Sequence, residues 1–295
     1  MGEVDGFNVR NVEGLRSPYV VIAFEGWSDT GTVTVDAARH LVEVYGGEPF
    51  LSVDPEEYYV FTETRPTVRL DEAGLRVIEW PKNEAFAVRL PHAEHDLIVV
   101  IGIEPNLRWR TFGERMADAI AAYGPALVCT FVARPAATPH TRPIPVSGSS
   151  ADPRLCQRFG LGRSLYQGPT GIVGVIHDAL RRRGAPLISL AAGVPHYLNV
   201  PENPPATMAL LEAFAEITGL DTKASLLRDA ADRFIARVDE ASREDDQIAG
   251  YVRSLEEHFG DDEEVGPKEG GSDLPSADDI LRDVEDFLRG GGEPS

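Results

Sequence analysis

Val20-Val21-Ile22-Ala23-Phe24 is an apolar run without alternation and rich in β-branched residues, a pattern that predicts a strand buried on both faces. It ends in Glu25-Gly26-Trp27-Ser28-Asp29, and a helical stretch follows from Val33 to Val44. The same grammar recurs at Leu97–Ile103, closed by Glu104-Pro105 and followed by a helix over about Arg110–Ala122. Further strands are expected at Glu48–Val53, Ala85–Leu90, Ala126–Val132 and Leu187–Ala192, with helices from Gly168–Gly174 to Arg183 and over Pro205–Thr218. Thr67–Leu70 and Leu75–Trp80 flank Asp71-Glu72-Ala73-Gly74, the signature of a β-hairpin. Alternating strands and helices predict an α/β fold, a mostly parallel sheet with helices on both faces.

Beyond Asp221 the period changes. Leu227, Ala231, Phe234, Val238, Ala241, Asp245, Ile248, Val252, Leu255 and Phe259 follow a 4-3-4-3 spacing, a seam for packing against another helix of this chain or of a partner. Ser242 with Asp245 resembles an N-cap pair, so two helices folded as a hairpin are expected over 221–260. Asp261–Pro275 reads as an acidic, flexible linker. Ile280, Val284, Phe287 and Leu288 form one apolar stripe behind a Ser276-Ala277-Asp278-Asp279 cap, predicting a short amphipathic helix. The expected organisation is a core domain over 1–220, the helical hairpin over 221–260 and a tail over 261–295. Ala133–Ser164, rich in Pro, Ser and Gly, is too long for an ordinary connector and reads as a lid or binding loop.

Charge narrows the partners. The net charge of −20 argues against nucleic acid, whose phosphates repel it. The acidity is uneven, with a net of −13 from Asp221 onward against −7 before it. No apolar run reaches membrane-spanning length, and Met1–Gly6 has neither a charged n-region nor an apolar h-region, so a cytoplasmic protein is expected. Cys129 lies in a strand pattern and reads as a small buried hydrophobe, Cys156 as an ordinary loop thiol; neither a disulfide nor a zinc site is expected.

In an open parallel sheet the carboxyl ends of the strands border the ligand crevice. That places Glu25, Trp27 and Asp29 beside Glu104, Arg108, Trp109 and Arg110, as a structural ion-pair network or as a ligand or partner site. Gly168, Thr170 and Gly171 sit where backbone approaches closely at a helix start, an end that attracts anions, although helix–sheet packing also explains such glycines. The GxxGxxG spacing matches neither a dinucleotide fingerprint nor a P-loop. His196, just past a strand, is either an acid–base group or a satisfied structural donor. Pro145–Ser150, with His140 upstream, lacks the nucleophile elbow, and His92 and His95 lack the glutamate of a zinc-protease motif. No catalytic set, cofactor or metal is therefore assigned.

Together Phe24–Asp29, Gly102–Pro105, Arg108–Arg110, Gly168–Gly171 and Val194–Tyr197 resemble the proteasome assembly chaperone two family, especially its bacterial members, across roughly residues 8–260. The resemblance implies a three-layer α/β/α fold like that of nucleoside phosphorylases and some hydrolases. It also implies self-association and ATP-independent binding or assembly of proteasome particles, with no settled catalytic residues to carry over. Archaeal relatives can dock through a hydrophobic–Tyr–any residue carboxyl terminus; this chain ends Gly292-Glu293-Pro294-Ser295, which speaks against that route. The leading expectation is an assembly or binding protein acting as a homo-oligomer. The rival is a small-molecule enzyme or sensor in which Glu25, Glu104 and His196 handle protons and Arg108 or Arg110 an anion.

Overall fold

The computed structural model describes residues 4–198 and 200–259. The strands are β1 (Phe7–Val9), β2 (Tyr19–Glu25), β3 (Glu48–Val53), β4 (Thr67–Leu70), β5 (Arg76–Glu79), β6 (Glu84–Val88), β7 (Leu97–Ile103), β8 (Leu127–Ala136), β9 (Val146–Ser149) and β10 (Leu187–Pro195). The helices are α1 (Val33–Tyr45), α2 (Trp109–Ala121), α3 (Pro153–Phe159), α4 (Ile172–Arg182), α5 (Pro204–Thr218), α6 (Arg228–Glu244) and α7 (Asp246–His258). Eight strands form one sheet in the order β1-β3-β6-β7-β2-β8-β10-β9, and β4 and β5 form a separate two-stranded sheet. The linker and amphipathic helix expected over 261–295 lie outside the described residues.

Strand β2 is the keel. Its residues Val20 to Phe24 are all essentially inaccessible, as their unbroken apolar run requires. Val20, Ile22 and Phe24 join Phe112, Met116 and Ile120 of α2 and Ile172, Ile176 and Leu180 of α4 in one hydrophobic core. On α1, Val35, Ala38 and Leu41 are equally buried. β2 runs parallel to β7 in the register Tyr19↔Leu97 through Glu25↔Ile103, and parallel to β8 from Tyr19↔Leu127. The fold is α/β with helices on both faces of the sheet. The sheet is mixed, however: β1–β3, β3–β6 and β6–β7 pair antiparallel. The short link over 89–96 leaves no room for the crossover helix that a parallel β6–β7 pair requires.

Among the described residues the chain divides into two compact units, one of 4–29, Thr34–Val132 and Ser147–Leu190, the other of Thr30–Val33, Ala133–Val146, 191–198 and 200–259. Within the second, the seam turns inward. Val238, Ile248 and Val252 are buried with Tyr197 and Leu198, while Phe234 and Leu255 pack against them. The helix break falls at Asp245, whose extended backbone (φ −124°, ψ 112°) lets its carboxylate accept from the N–H groups of Gln247 and Ile248 at 2.7 and 3.3 Å. Asp245 itself is the cap, and Ser242 lies inside α6.

Two expectations need correction. The segment 133–164, read as a lid or binding loop, carries regular elements: β8 continues to Ala136, β9 occupies Val146–Ser149, and Asp152 caps α3 by accepting from Arg154 N–H at 2.8 Å. Gly160, at φ 65°, then ends that helix. Cys156 accordingly sits on α3 rather than in a loop, and both cysteines are free thiols. Burial pushes the Cys129 thiol up, as an inert core residue should be. Among the described residues no helix is long and apolar enough to cross a membrane.

Candidate functional site

The parallel pairing of β2 with β7 delivers two glutamates to one rim. Glu104 follows β7 directly, and its N–H donates to the Glu25 carbonyl at 2.9 Å. Between them Gly26 takes φ 126°, and a Cβ there would stand 2.8 Å from the Glu104 Cβ, so only glycine fits the turn. Glu25, Gly26, Glu63, Thr64, Ile103, Glu104, Pro105, Asn106 and Trp109 line an open cleft of about 540 Å³.

The two carboxylates do different jobs. Glu104 Oε2 accepts the N–H of Ile172, the first residue of α4, at 2.7 Å. The anion-seeking helix start read from Gly168–Gly174 is thus satisfied from within, by a carboxylate 68 positions upstream. Gly171 is glycine because a Cβ would lie 2.6 Å from that oxygen and 3.0 Å from the Trp27 Cβ. Thr170 and Gly168 are exposed; the Thr170 hydroxyl crowds Gly174, and the Tyr166 hydroxyl, donating to Pro169 O at 2.8 Å, crowds Gly168. Replacing Glu104 by alanine is expected to cost about 1–2 kcal/mol, with glutamine recovering part of it as an uncharged acceptor. Chemical denaturation of the two variants checks this.

Glu25 faces the cleft half-buried, and burial pushes its carboxyl up, with Arg39 opposing and Asp36 adding to the rise. Glu63 is exposed at the same cleft. Trp109 forms part of the wall and donates its indole N–H to Pro105 O. Trp27, at the rim, is 64% exposed.

The remaining rim residues are engaged elsewhere. Asp29 accepts from the N–H and hydroxyl of Thr34 at 3.0 and 2.8 Å, a cap for the first turn of α1. Arg108, in a left-handed turn at φ 55°, pairs with Glu57 and with Asp5 at 3.2 Å and lies 5.4 Å over the Tyr58 ring. Arg110 is exposed and makes no ion pair among the described residues. The structure therefore gathers Glu25, Glu104 and Trp109 and directs Arg108 to other acids.

His196 belongs to the second unit, and both its nitrogens are occupied. Nδ1 lies 3.0 Å from Ala136 O and Nε2 2.7 Å from the Tyr251 hydroxyl. His140 is similarly tied, with Nδ1 2.7 Å from the Tyr197 hydroxyl and Nε2 3.1 Å from Asp239 Oδ1. Burial lowers its pKa, against the pull of Asp239, as for a neutral structural histidine. His95 sits 2.8 Å from Ser17 O. Among the described residues no group of three or more His, Cys, Asp or Glu is placed to hold a metal.

Sequence reasoning missed Glu63, Thr64 and Asn106. Asn106 Oδ1 accepts from Val60 N–H at 2.9 Å and from the Thr64 hydroxyl at 3.1 Å, which brings residues 60–64 to the cleft. Below, Asn83 accepts the N–H of Ile103 at 2.9 Å and donates to the Tyr59 hydroxyl, which donates to Ile103 O.

The site is thus an acidic strand-end cleft on an α/β sheet, with Glu104, Asp29 and Arg108 spent on caps and ion pairs. The model of the PAC2 family matches residues 23–242, and the chain belongs to that family. It is 40% identical to a PAC2 family protein from Streptomyces avermitilis, covering 80% of this chain and 99% of that one at a TM-score of 0.72. It is 36% identical to a proteasome-assembly chaperone homologue from Mycobacterium tuberculosis, covering 79% and 99% at a TM-score of 0.71. An archaeal proteasome activator from Pyrococcus furiosus shares the fold at 19% identity and a TM-score of 0.63, covering 80% and 98%. No curated protein matches the chain.

Proposed function

We propose that this chain is an ATP-independent, cytoplasmic binding protein that self-associates and engages proteasome subunits or particles during their assembly. The observation that carries this reading is the relative described as a proteasome-assembly chaperone homologue, which aligns over nearly its whole length. The geometry supports a binding role in particular. Glu104 and Asp29 cap helices, Arg108 serves an ion-pair cluster, and His196 has both nitrogens engaged. Glu25 and Glu63 remain at an open cleft walled in part by Trp109, and Trp27, which follows Gly26 of its lining, is exposed. Carboxylates flanked by aromatic surface suit the lysine or arginine side chains of a protein partner.

A second reading, a small-molecule enzyme or sensor, draws on Glu25 alone, because burial raises its carboxyl at the wall of the recess. A thermal-shift screen with nucleosides, inorganic phosphate and acyl compounds separates the two. A ligand that stabilises wild type but not Glu25→Gln supports the second reading. Nucleotide-free binding to proteasome particles supports the first.

A further inference from the structure

The hairpin β4–β5 stands apart from the main sheet, with each strand having only the other as ladder partner. Its register pairs Thr67↔Glu79, Val68↔Ile78, Arg69↔Val77 and Leu70↔Arg76. Residues directly opposite share a face. One face therefore carries Thr67, Arg69, Val77 and Glu79, with Arg69 and Glu79 ion-paired. The other carries Val68, Leu70, Ile78 and Arg76, and Trp80 continues its alternation. On that second face the exposures are 54% for Val68, 64% for Leu70, 58% for Ile78 and 43% for Trp80. A lone two-stranded sheet is marginal in water, and apolar side chains gathered on one side of it call for a cover.

The face has polarity along its length. Arg76 lies at the turn end, exposed and without an ion pair among the described residues. Trp80 lies at the opposite end, its ring set edge-on against Phe61 at 4.8 Å with much of its surface open. Val68 and Ile78 lie between them. A two-fold axis through the centre reverses direction, so the turn end of one hairpin meets the base of the other. We propose that two copies of this chain meet here, hairpin on hairpin, with Arg76 of each copy over the partner's Trp80.

The occupant is a second copy because the face is complementary to itself. The apolar centre meets an apolar centre, and a cation meets an aromatic face at both ends of the contact. Charge points the same way. A chain of net charge −20 repels its own copy over most of its surface, whereas this face carries only a cation. Sheets stacked face to face at about 10 Å interdigitate such side chains, and covering them resolves the marginality of the isolated hairpin.

The inference rests on the self-association part of the proposed function and is independent of the proteasome. The test is sedimentation velocity of the full chain across a concentration series, with circular dichroism as the folding control. Ile78→Glu places a carboxylate in each half of the apolar centre and is expected to weaken self-association about a hundredfold. Arg76→Ala is expected to weaken it about tenfold, with Arg76→Lys retaining part. Neither residue is in the main core, so the melting profile of the separated chain stays unchanged. A wild type that is monomeric at every concentration overturns both this inference and the self-association reading. Wild-type self-association that survives Ile78→Glu overturns this surface alone. So does an Ile78→Glu variant that self-associates normally yet loses a different protein partner.

Discussion

Alanine in place of Asp96 is expected to destabilise the protein by about 2–3 kcal/mol, the consequence of leaving the buried Leu90 N–H without an acceptor and removing charge-assisted hydrogen bonds to a half-exposed arginine. Asp96 sits just before β7 with its side chain only 2% exposed. Its carboxylate accepts from Arg16 Nε, Nη2 and N–H at 3.2, 2.7 and 2.8 Å, and from Leu90 N–H at 2.9 Å. Its backbone carbonyl accepts Tyr19 N–H at 2.9 Å, so one residue aligns the starts of β2 and β7. Alanine leaves the N–H groups of Leu90 and Arg16 without that acceptor, while the half-exposed Arg16 guanidinium keeps the carbonyls of Leu90 and Ala93. Asparagine keeps an acceptor and is expected to cost about half as much.

The same site fixes a pH dependence. Burial alone pushes the Asp96 carboxyl up, but the Arg16 guanidinium and the N–H groups of Leu90 and Arg16 outweigh it and hold the group at about 2. The native value is depressed below the ordinary carboxylate range, so the unfolded chain binds the proton more readily on acidification. The contribution is complete above about pH 4 and is lost as pH falls toward the native value. Urea titrations at stepped pH are expected to show a shallower acid decline for Asp96→Asn than for wild type. Parallel declines contradict the assignment.

Gly102→Ala is expected to cost about 2–4 kcal/mol, from overpacking together with the loss of a buried hydrogen bond. A Cβ at Gly102 would stand 2.0 Å from Asn83 Oδ1 and 2.6 Å from the Phe24 ring. Neither neighbour can yield cheaply. Phe24 is essentially inaccessible within the main core, and Asn83, 1% exposed, holds Ile103 N–H and the Tyr59 hydroxyl in place beneath the cleft. Displacing Asn83 frees the end of β7 and with it the strand that supplies Glu104. The expected signature is a loss of stability together with a change in intrinsic tryptophan emission, to which Trp109 of the cleft wall contributes. Wild-type stability for Gly102→Ala contradicts this packing.

Asp96 and Gly102 bracket β7, and the contrast between them and the cleft shows what the residue pattern makes legible. Unbroken apolar runs ending in Glu25 and Glu104 point to two buried parallel strands with carboxylates at one rim, and the register puts them there. The β4–β5 hairpin is legible because Asp71-Glu72-Ala73-Gly74 is turn chemistry between two short strands. Pairing direction is less so, because an apolar strand reads alike in both directions, and only the shortness of the 89–96 link decides β6–β7. The union of Glu104 with the start of α4 is illegible for a different reason. A glycine-rich helix start advertises an open anion site, and nothing local reveals that a distant carboxylate fills it. Glu63 reaches the cleft through Asn106, in a stretch without strand or helix period. Arg108 likewise reads as a rim cation beside Glu104, while its partners Asp5 and Glu57 lie far upstream.

The proposed function is tested by binding of the purified full chain to proteasome core particles and their assembly precursors from its own source, without nucleotide. Wild type is compared with the surface double variant Trp27→Ala/Glu63→Lys, whose exposed positions change folding stability by only about 0.5 kcal/mol. Nucleotide-independent binding that weakens at least about tenfold in the double variant is expected. No binding by wild type at about 10 μM particle, or equal binding by both proteins, contradicts it.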